Sequence, residues 1–301
     1  MLKVLITGGS GFIGSHLIEA MLAEDYSVRT FDTSDYPYPI PPLADFEAFV
    51  GDLTVLPQVE AAVADCDGII HLGAVSRVGL GYQQPLDCIA TNIVGTANLL
   101  EVARRALKPP WMVLASSAGA VELPGPDQDF AHLYGITKFC AEQCARRYSE
   151  DYGLRVLTLR ISDVYGSDRD NAAKVLPLFI ERARRSEPIA VHNPGMRFDF
   201  TYYEDVIAAI IRGTAYLEAQ SGGMYDSVQI CTGQEVTLLE LSETIVEAMG
   251  SSSVIEIPVQ RRPDPGHGVK FDPSHAHEIL GFQAQVSLRE GIRHLASGIP
   301  A

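Results

Sequence analysis

The segment Thr7-Gly-Gly-Ser-Gly-Phe-Ile-Gly14 constrains this chain more than any other. Glycines 8, 11 and 14 come after a β-branched run, Lys3–Thr7, and open an amphipathic run that reads as a helix over Ile13–Glu24. Gly8 permits a tight strand-to-helix turn, Gly11 lets the backbone approach a pyrophosphate, and Gly14 lets helix and strand pack closely. A diphosphate would then lie at the helix N-terminus, on the N–H groups of Phe12, Ile13 and Gly14, favoured by the helix dipole. A tight turn with no ligand would use the same glycines, so the loop takes its meaning from the pattern of the rest of the chain.

That pattern is an alternation of short apolar runs and longer amphipathic ones. Strands are expected at Lys3–Thr7, Ser27–Phe31, Ala48–Gly51, Gly68–Leu72, Trp111–Ser116 and Arg155–Ile161, and helices at Ile13–Glu24, Leu56–Asp65, Pro85–Ala106 and Leu133–Asp151. Such βαβ units build a doubly wound parallel sheet of the Rossmann type, covered by helices on both faces. The proline-rich stretch Tyr36–Pro42 fits neither helix nor central strand and reads as a surface loop after the second strand.

After Gly166 the texture changes. Short strands (Ile189–His192, Met224–Cys231) are interspersed with helices (Leu176–Arg185, Val206–Glu218, Leu238–Met249, Ser274–Leu280). The α/β chain is therefore expected to form a nucleotide-binding domain over 1–166. Over 167–301 it is expected to form a smaller, interleaved substrate-binding region, with some segments returning to the sheet.

With 301 residues, 47% of them hydrophobic, the chain can bury a large core. Its formal charge of −15 opposes the phosphate neutralisation that nucleic-acid binding needs, so nucleic acid is not an expected partner. No segment approaches the about 18 apolar residues that span a membrane, and no leader precedes the first strand, so a cytoplasmic location is expected. Cys66, Cys88, Cys140, Cys144 and Cys231 are odd in number and contain no CxxC pair. They read as buried thiols rather than disulfides or metal ligands.

Asp32 closes the second strand, where a carboxylate can accept hydrogen bonds from a ribose diol and repel a 2′-phosphate. NAD is thus the expected cofactor, rather than NADP. Asp52 and Leu53 come after the third strand and suit either a turn or the rim of an adenine pocket. Tyr134 and Lys138 stand four apart on one helical face. An ammonium beside the phenol favours phenolate and makes Tyr134 a general base for an alcohol proton.

The order of TGGSGFIG (7–14), GDLT (51–54), HLGAVSRV (71–78), TNIVGT (91–96), ASS (115–117), YGITK (134–138), LRISDVYG (159–166), FDFTYYEDV (198–206) and RRP (261–263) resembles the NAD-dependent epimerase/dehydratase family, the extended short-chain dehydrogenases. The resemblance implies that Tyr134 is the base, that Lys138 holds the nicotinamide ribose and that Ser117 bonds the reacting hydroxyl. It also implies that Leu72, Gly73, Ala74 and Asn92 lie along the cofactor. Asn92 alternatively reads as a satisfied buried amide. Ser76, Asp163, Lys174, Arg197 and Arg262 are the substrate-side positions it implies.

The departures bear on the substrate. Ala118 and Gly119 stand where dehydratases and decarboxylases of this type carry an acid after the catalytic Ser/Thr. Asp163 replaces an asparagine, Phe198 replaces an arginine with Arg197 one place early, and the loop from Ser117 to Tyr134 is shorter than usual. The leading expectation is a UDP-hexose-type 4-epimerase. The alternatives are a net NAD-dependent dehydrogenase of a sugar, uronate or related alcohol, and a non-catalytic NAD-sensing protein. The substrate is expected to be a sugar nucleotide or sugar. Ile89, Ile93, Leu100, Phe139 and Cys140 lie outside a single apolar stripe and point to a homodimer.

Overall fold

The computed structural model describes residues 1–76, 78–120, 132–258 and 270–297. In chain order these form β1 (Lys3–Thr7), α1 (Phe12–Ala23), β2 (Ser27–Asp32), β3 (Phe46–Val50), α2 (Leu56–Val63), β4 (Gly68–His71), α3 (Val78–Gln83) and α4 (Pro85–Ile89). A π-helical segment (Ala90–Gly95) leads into α5 (Thr96–Arg105), β5 (Trp111–Ser117), α6 (Leu133–Tyr152), β6 (Arg155–Ile161), β7 (Asp163–Tyr165), α7 (Val175–Arg184), β8 (Ile189–Ala190) and β9 (Arg197–Tyr202). Then come α8 (Tyr203–Glu218), β10 (Met224–Ile230), β11 (Glu235–Thr237), α9 (Leu238–Met249), β12 (Ile255–Glu256), α10 (Ser274–Leu280) and α11 (Leu288–Ser297).

Two compact units result, residues 1–160 with 207–228 and residues 161–206 with 229–301. The first is built on a seven-stranded parallel sheet in the order β10-β6-β5-β4-β1-β2-β3. Helices cover both faces, so the central strands are continuous apolar runs: Val4, Leu5, Ile6, Ile69 and Ile70 are fully buried. Strand order reverses between β1 and β4, which pair in parallel, Thr7 lying beside His71. Such a switch point leaves a crevice at the carboxyl ends of the two strands.

The second unit holds the three-stranded sheet β11-β9-β7 and the pair β12-β8. Its core joins Tyr165, Phe179, Ile180, Tyr202, Leu241 and Ile292. Thr237 caps α9 with Glu240 in a reciprocal capping box. Residues 161–166, grouped from sequence with the nucleotide-binding half, fall in this unit because β7 pairs with β9. Residues 207–228 fall in the first unit.

Several expectations change. The single helix Pro85–Ala106 is three pieces, with a π-helical segment at its centre. The third strand begins earlier, at Phe46, because it pairs with β2 from Val28 onward. Short strands β7, β9, β11 and β12 are additions to the expected set. Cys140 and Cys144, expected buried, are only half-buried, Cys144 at the margin of the core formed by Leu5, Ile69 and Met112, whereas Cys66, Cys88 and Cys231 are buried. Leu100 belongs to the core and is fully buried.

Candidate active site

The glycine loop sits at the switch point. Gly8 has a positive φ of 72°, and a Cβ there would come within 2.8 Å of the Gly73 nitrogen. At Gly14 it would meet the Gly8 carbonyl oxygen at 2.2 Å. These two glycines are thus required by the backbone itself, which closes β1, β4 and α1 upon one another. Gly11 differs: a Cβ there would touch only the Gly8 oxygen, at 3.2 Å. Gly11 is also the N-cap of α1, without a side-chain cap and without an acidic residue in the first turn. The helix start at Phe12, Ile13 and Gly14 therefore fits a diphosphate in space and in charge.

Asp32 is tied to this loop: its Oδ2 accepts the Ser10 N–H at 3.0 Å, while Gly8 N–H donates to the Phe31 carbonyl at 3.0 Å. Ser10, absent from the sequence-based site, thus fixes the carboxylate. Asp52 turns its Oδ1 onto the N–H and hydroxyl of Thr54, both at 2.8 Å, in an Asx turn. Leu53 is buried, and Cβ atoms on Gly73 or Gly95 would collide with it. Gly73 is buried as well, with Leu72 and Ala74 half-buried and Ser76 exposed.

Beneath the loop runs a buried polar network that the motifs do not disclose. Gly73 N–H donates to Thr7 Oγ1 at 3.0 Å, and Thr7 Oγ1 lies 2.7 Å from His71 Nδ1. His71 Nε2 lies 2.9 Å from Thr96 Oγ1, which donates to the Asn92 carbonyl at 2.7 Å. Burial, aided by the charge of Lys138, pushes His71 down to about 3, so the imidazole is neutral. Asn92 is 1% exposed, and its carboxamide is consumed by the protein. Its Oδ1 accepts Val75 N–H at 2.8 Å, and its Nδ2 donates to Val75 O at 3.2 Å and Thr137 Oγ1 at 2.9 Å.

Helix α6 starts against the end of β5. His132 caps it by accepting the Gly135 N–H at 2.9 Å and stacks on the half-buried Tyr134. A Cβ on Gly135 would lie 2.5 Å from the Gly119 carbonyl, and Ser117 Oγ accepts the Gly119 N–H at 3.1 Å. Lys138, 5% exposed, donates from Nζ to the Ala115 carbonyl at 2.9 Å. Burial lowers its pKa to about 8, opposed by Glu142 one turn on. Glu142 is itself fully buried and gripped by Arg160 at 2.6 to 3.1 Å. Ser117, Tyr134 and Lys138 thus share one corner of the first unit, with the ammonium supported from below.

In the second unit, Asp163 is exposed at the start of β7, and its carboxyl is pushed up to about 6 by desolvation and by the nearby Asp199 and Asp170, against the pull of Lys174. Lys174 bridges Asp170 Oδ1 at 2.7 Å and the Val164 carbonyl at 3.3 Å. Arg197 is exposed at the start of β9, and Phe198 stacks on Phe200. Arg262, with the rest of RRP, lies outside the described residues, as does the middle of the loop between Ser117 and Tyr134. Among the described residues no group of His, Cys, Asp or Glu is arranged to hold a metal, and no helix is long and apolar enough to cross a membrane.

Residues 4–227 match the model of the NAD dependent epimerase/dehydratase family. The chain is 28% identical to UDP-glucuronic acid decarboxylase 3 of Arabidopsis thaliana, over 97% of this chain and 87% of that protein. It is also 28% identical to a putative UDP-glucose 4-epimerase of Methanocaldococcus jannaschii, over 98% and 97%. Among solved structures, the Thermus thermophilus UDP-glucose 4-epimerase in complex with NAD superposes with a TM-score of 0.80 at 26% identity, covering 98% of each chain.

Proposed function

Because the chain belongs to the NAD dependent epimerase/dehydratase family, an NAD-using enzyme that modifies UDP-sugars, we propose that it is a UDP-hexose-type 4-epimerase. One observation carries this reading. Tyr134 stands one turn before a buried Lys138 whose ammonium is fixed to β5 beside Ser117. Ala118 and Gly119 come next in the chain, with no acid to assist elimination.

Each residue's role derives from its chemistry. The first turn of α1 and Gly11 hold a diphosphate, and Asp32 accepts ribose hydroxyls. Bound NAD supplies a hydride acceptor and donor at the sugar carbon. Ser117 orients the reacting hydroxyl. Tyr134, as phenolate beside the Lys138 charge, takes the hydroxyl proton and returns it after the keto sugar turns. Lys138 also donates to the nicotinamide ribose. By the family resemblance, Asp163, Lys174, Arg197, Arg262 and Ser76 are proposed to serve in substrate binding. Thermal stabilisation by a panel of UDP-sugars against free sugars tests the substrate class: stabilisation by free sugars alone would contradict it.

A second reading, net oxidation of a sugar or uronate, is favoured by Asp163, an anion where a diphosphate is to be held, and by Phe198, committed to Phe200. A purely sensing role leaves the Ser117, Tyr134 and Lys138 arrangement without purpose. We also propose a homodimer through α4, the π-helical segment and α6, where Leu86, Ile89 and Val94 are exposed. A monomeric mass by light scattering at micromolar concentration would refute it.

A further inference from the structure

The hydrogen bonds beneath the glycine loop can be assigned a direction. The Asn92 carbonyl can only accept, so the Thr96 hydroxyl proton is committed to it. Thr96 Oγ1 must then accept from His71 Nε2–H. That leaves Nδ1 without a proton, and it accepts from the Thr7 hydroxyl. Thr7 Oγ1 in turn accepts Gly73 N–H. A second stretch starts from the Asn92 side chain: its Nδ2–H donates to Thr137 Oγ1 at 2.9 Å, and the Thr137 hydroxyl donates to the Tyr134 carbonyl at 2.8 Å. Two hydrogen-bonded stretches thus meet at Asn92, one ending on its main-chain carbonyl and the other starting from its side-chain amide, and together they lead from the backbone that contacts Gly8 to the backbone of Tyr134. A charged imidazole would present a second N–H to Thr7 and break the run. Burial and the nearby Lys138 charge keep His71 neutral.

We propose that His71 is a positioning residue: relayed through Thr96, Asn92 and Thr137, it sets the first turn of α6, and with it the Tyr134 phenol, in register with the glycine loop. The proposal rests on Tyr134 being the base. A misplacement of about 1 Å at a reacting group can cost about a hundredfold in rate, so a broken run should lower kcat without abolishing binding.

The test pairs Thr96→Val, which deletes the central hydroxyl at nearly constant volume, with Thr96→Ser, which keeps it. Epimerisation kcat and KM are measured separately. The Tyr134 titration is read as the tyrosinate absorbance that each protein loses on adding Tyr134→Phe. Thr96→Val is expected to lower kcat by about tenfold to a hundredfold, to change KM less than kcat, and to raise the Tyr134 midpoint; Thr96→Ser restores all three. Wild-type kcat and midpoint in Thr96→Val, or equal losses in both variants, would overturn the proposal. If Thr96→Val does not fold, Thr137→Val against Thr137→Ser cuts the same run at α6 and carries the same expectations. Wild-type turnover in Tyr134→Phe alone would instead sink the assignment of the base.

Discussion

Lys138 Nζ donates to the Ala115 carbonyl at 2.9 Å, from a position 5% exposed. An ammonium so placed costs stability, because unfolding returns it to water. Its folded pKa of about 8 lies below the ordinary 10.5, so the unfolded chain binds more protons between those values. Stability therefore rises with pH through that window, and the full cost applies below about 8. Lys138→Met removes a cost of about 3 kcal/mol at neutral pH, less about 1 for the lost hydrogen bond. The variant should melt higher than wild type at pH 7, with the gap closing toward pH 10, while losing turnover. A variant less stable than wild type at pH 7 would contradict the account.

Asp32 Oδ2 holds the Ser10 N–H at 3.0 Å, so the carboxylate is fixed before any ribose arrives. Asp32→Ala should weaken NAD binding and narrow its preference over NADP, measured by calorimetry with both cofactors. Tighter binding of NADP by the wild type would overturn the assignment.

The sheet and its glycine loop are legible in the sequence because their signals are local. A βα turn without room for Cβ at Gly8 and Gly14 can be written almost only with glycine, and strands buried on both faces must be apolar throughout. The Tyr134 and Lys138 spacing is equally direct. His71, Thr7 and Thr96 are not, since a histidine between apolar strand residues reads as core until its two partners, from β1 and α5, are in place. The family resemblance puts Asn92 along the cofactor; that its carboxamide also ties Val75 to Thr137 is a contact only the folded chain supplies. Strands β7, β9, β11 and β12 escape because DVY, RFDFTY, EVT and IE are mixed polar and apolar and lack the continuous apolar runs of the central sheet. Their pairing comes from tertiary contact, as between Asp163 and Phe200.

Asp163 offers a pH-dependent test of the substrate side. Its carboxyl, raised to about 6 by desolvation, is anionic above that value and neutral below it. An anionic diphosphate nearby should bind more tightly as pH falls through 6. Asp163→Asn should bind UDP-sugars more tightly than wild type at pH 7.5 and show no such dependence. Identical pH profiles for the two proteins would place Asp163 away from the diphosphate.

The central claim is that the hydride goes back to the sugar it came from. An epimerase retains its cofactor through the cycle, whereas a dehydrogenase must exchange it at every turnover. The measurement is incubation of the purified protein with UDP-glucose or UDP-galactose and no added cofactor, tracking the sugars by NMR and NADH by absorbance. The account predicts interconversion of the two sugars without bulk NADH, falling by at least about 10²-fold in Tyr134→Phe. Steady NADH production that requires added NAD, with no epimer formed, would contradict it and establish the dehydrogenase reading.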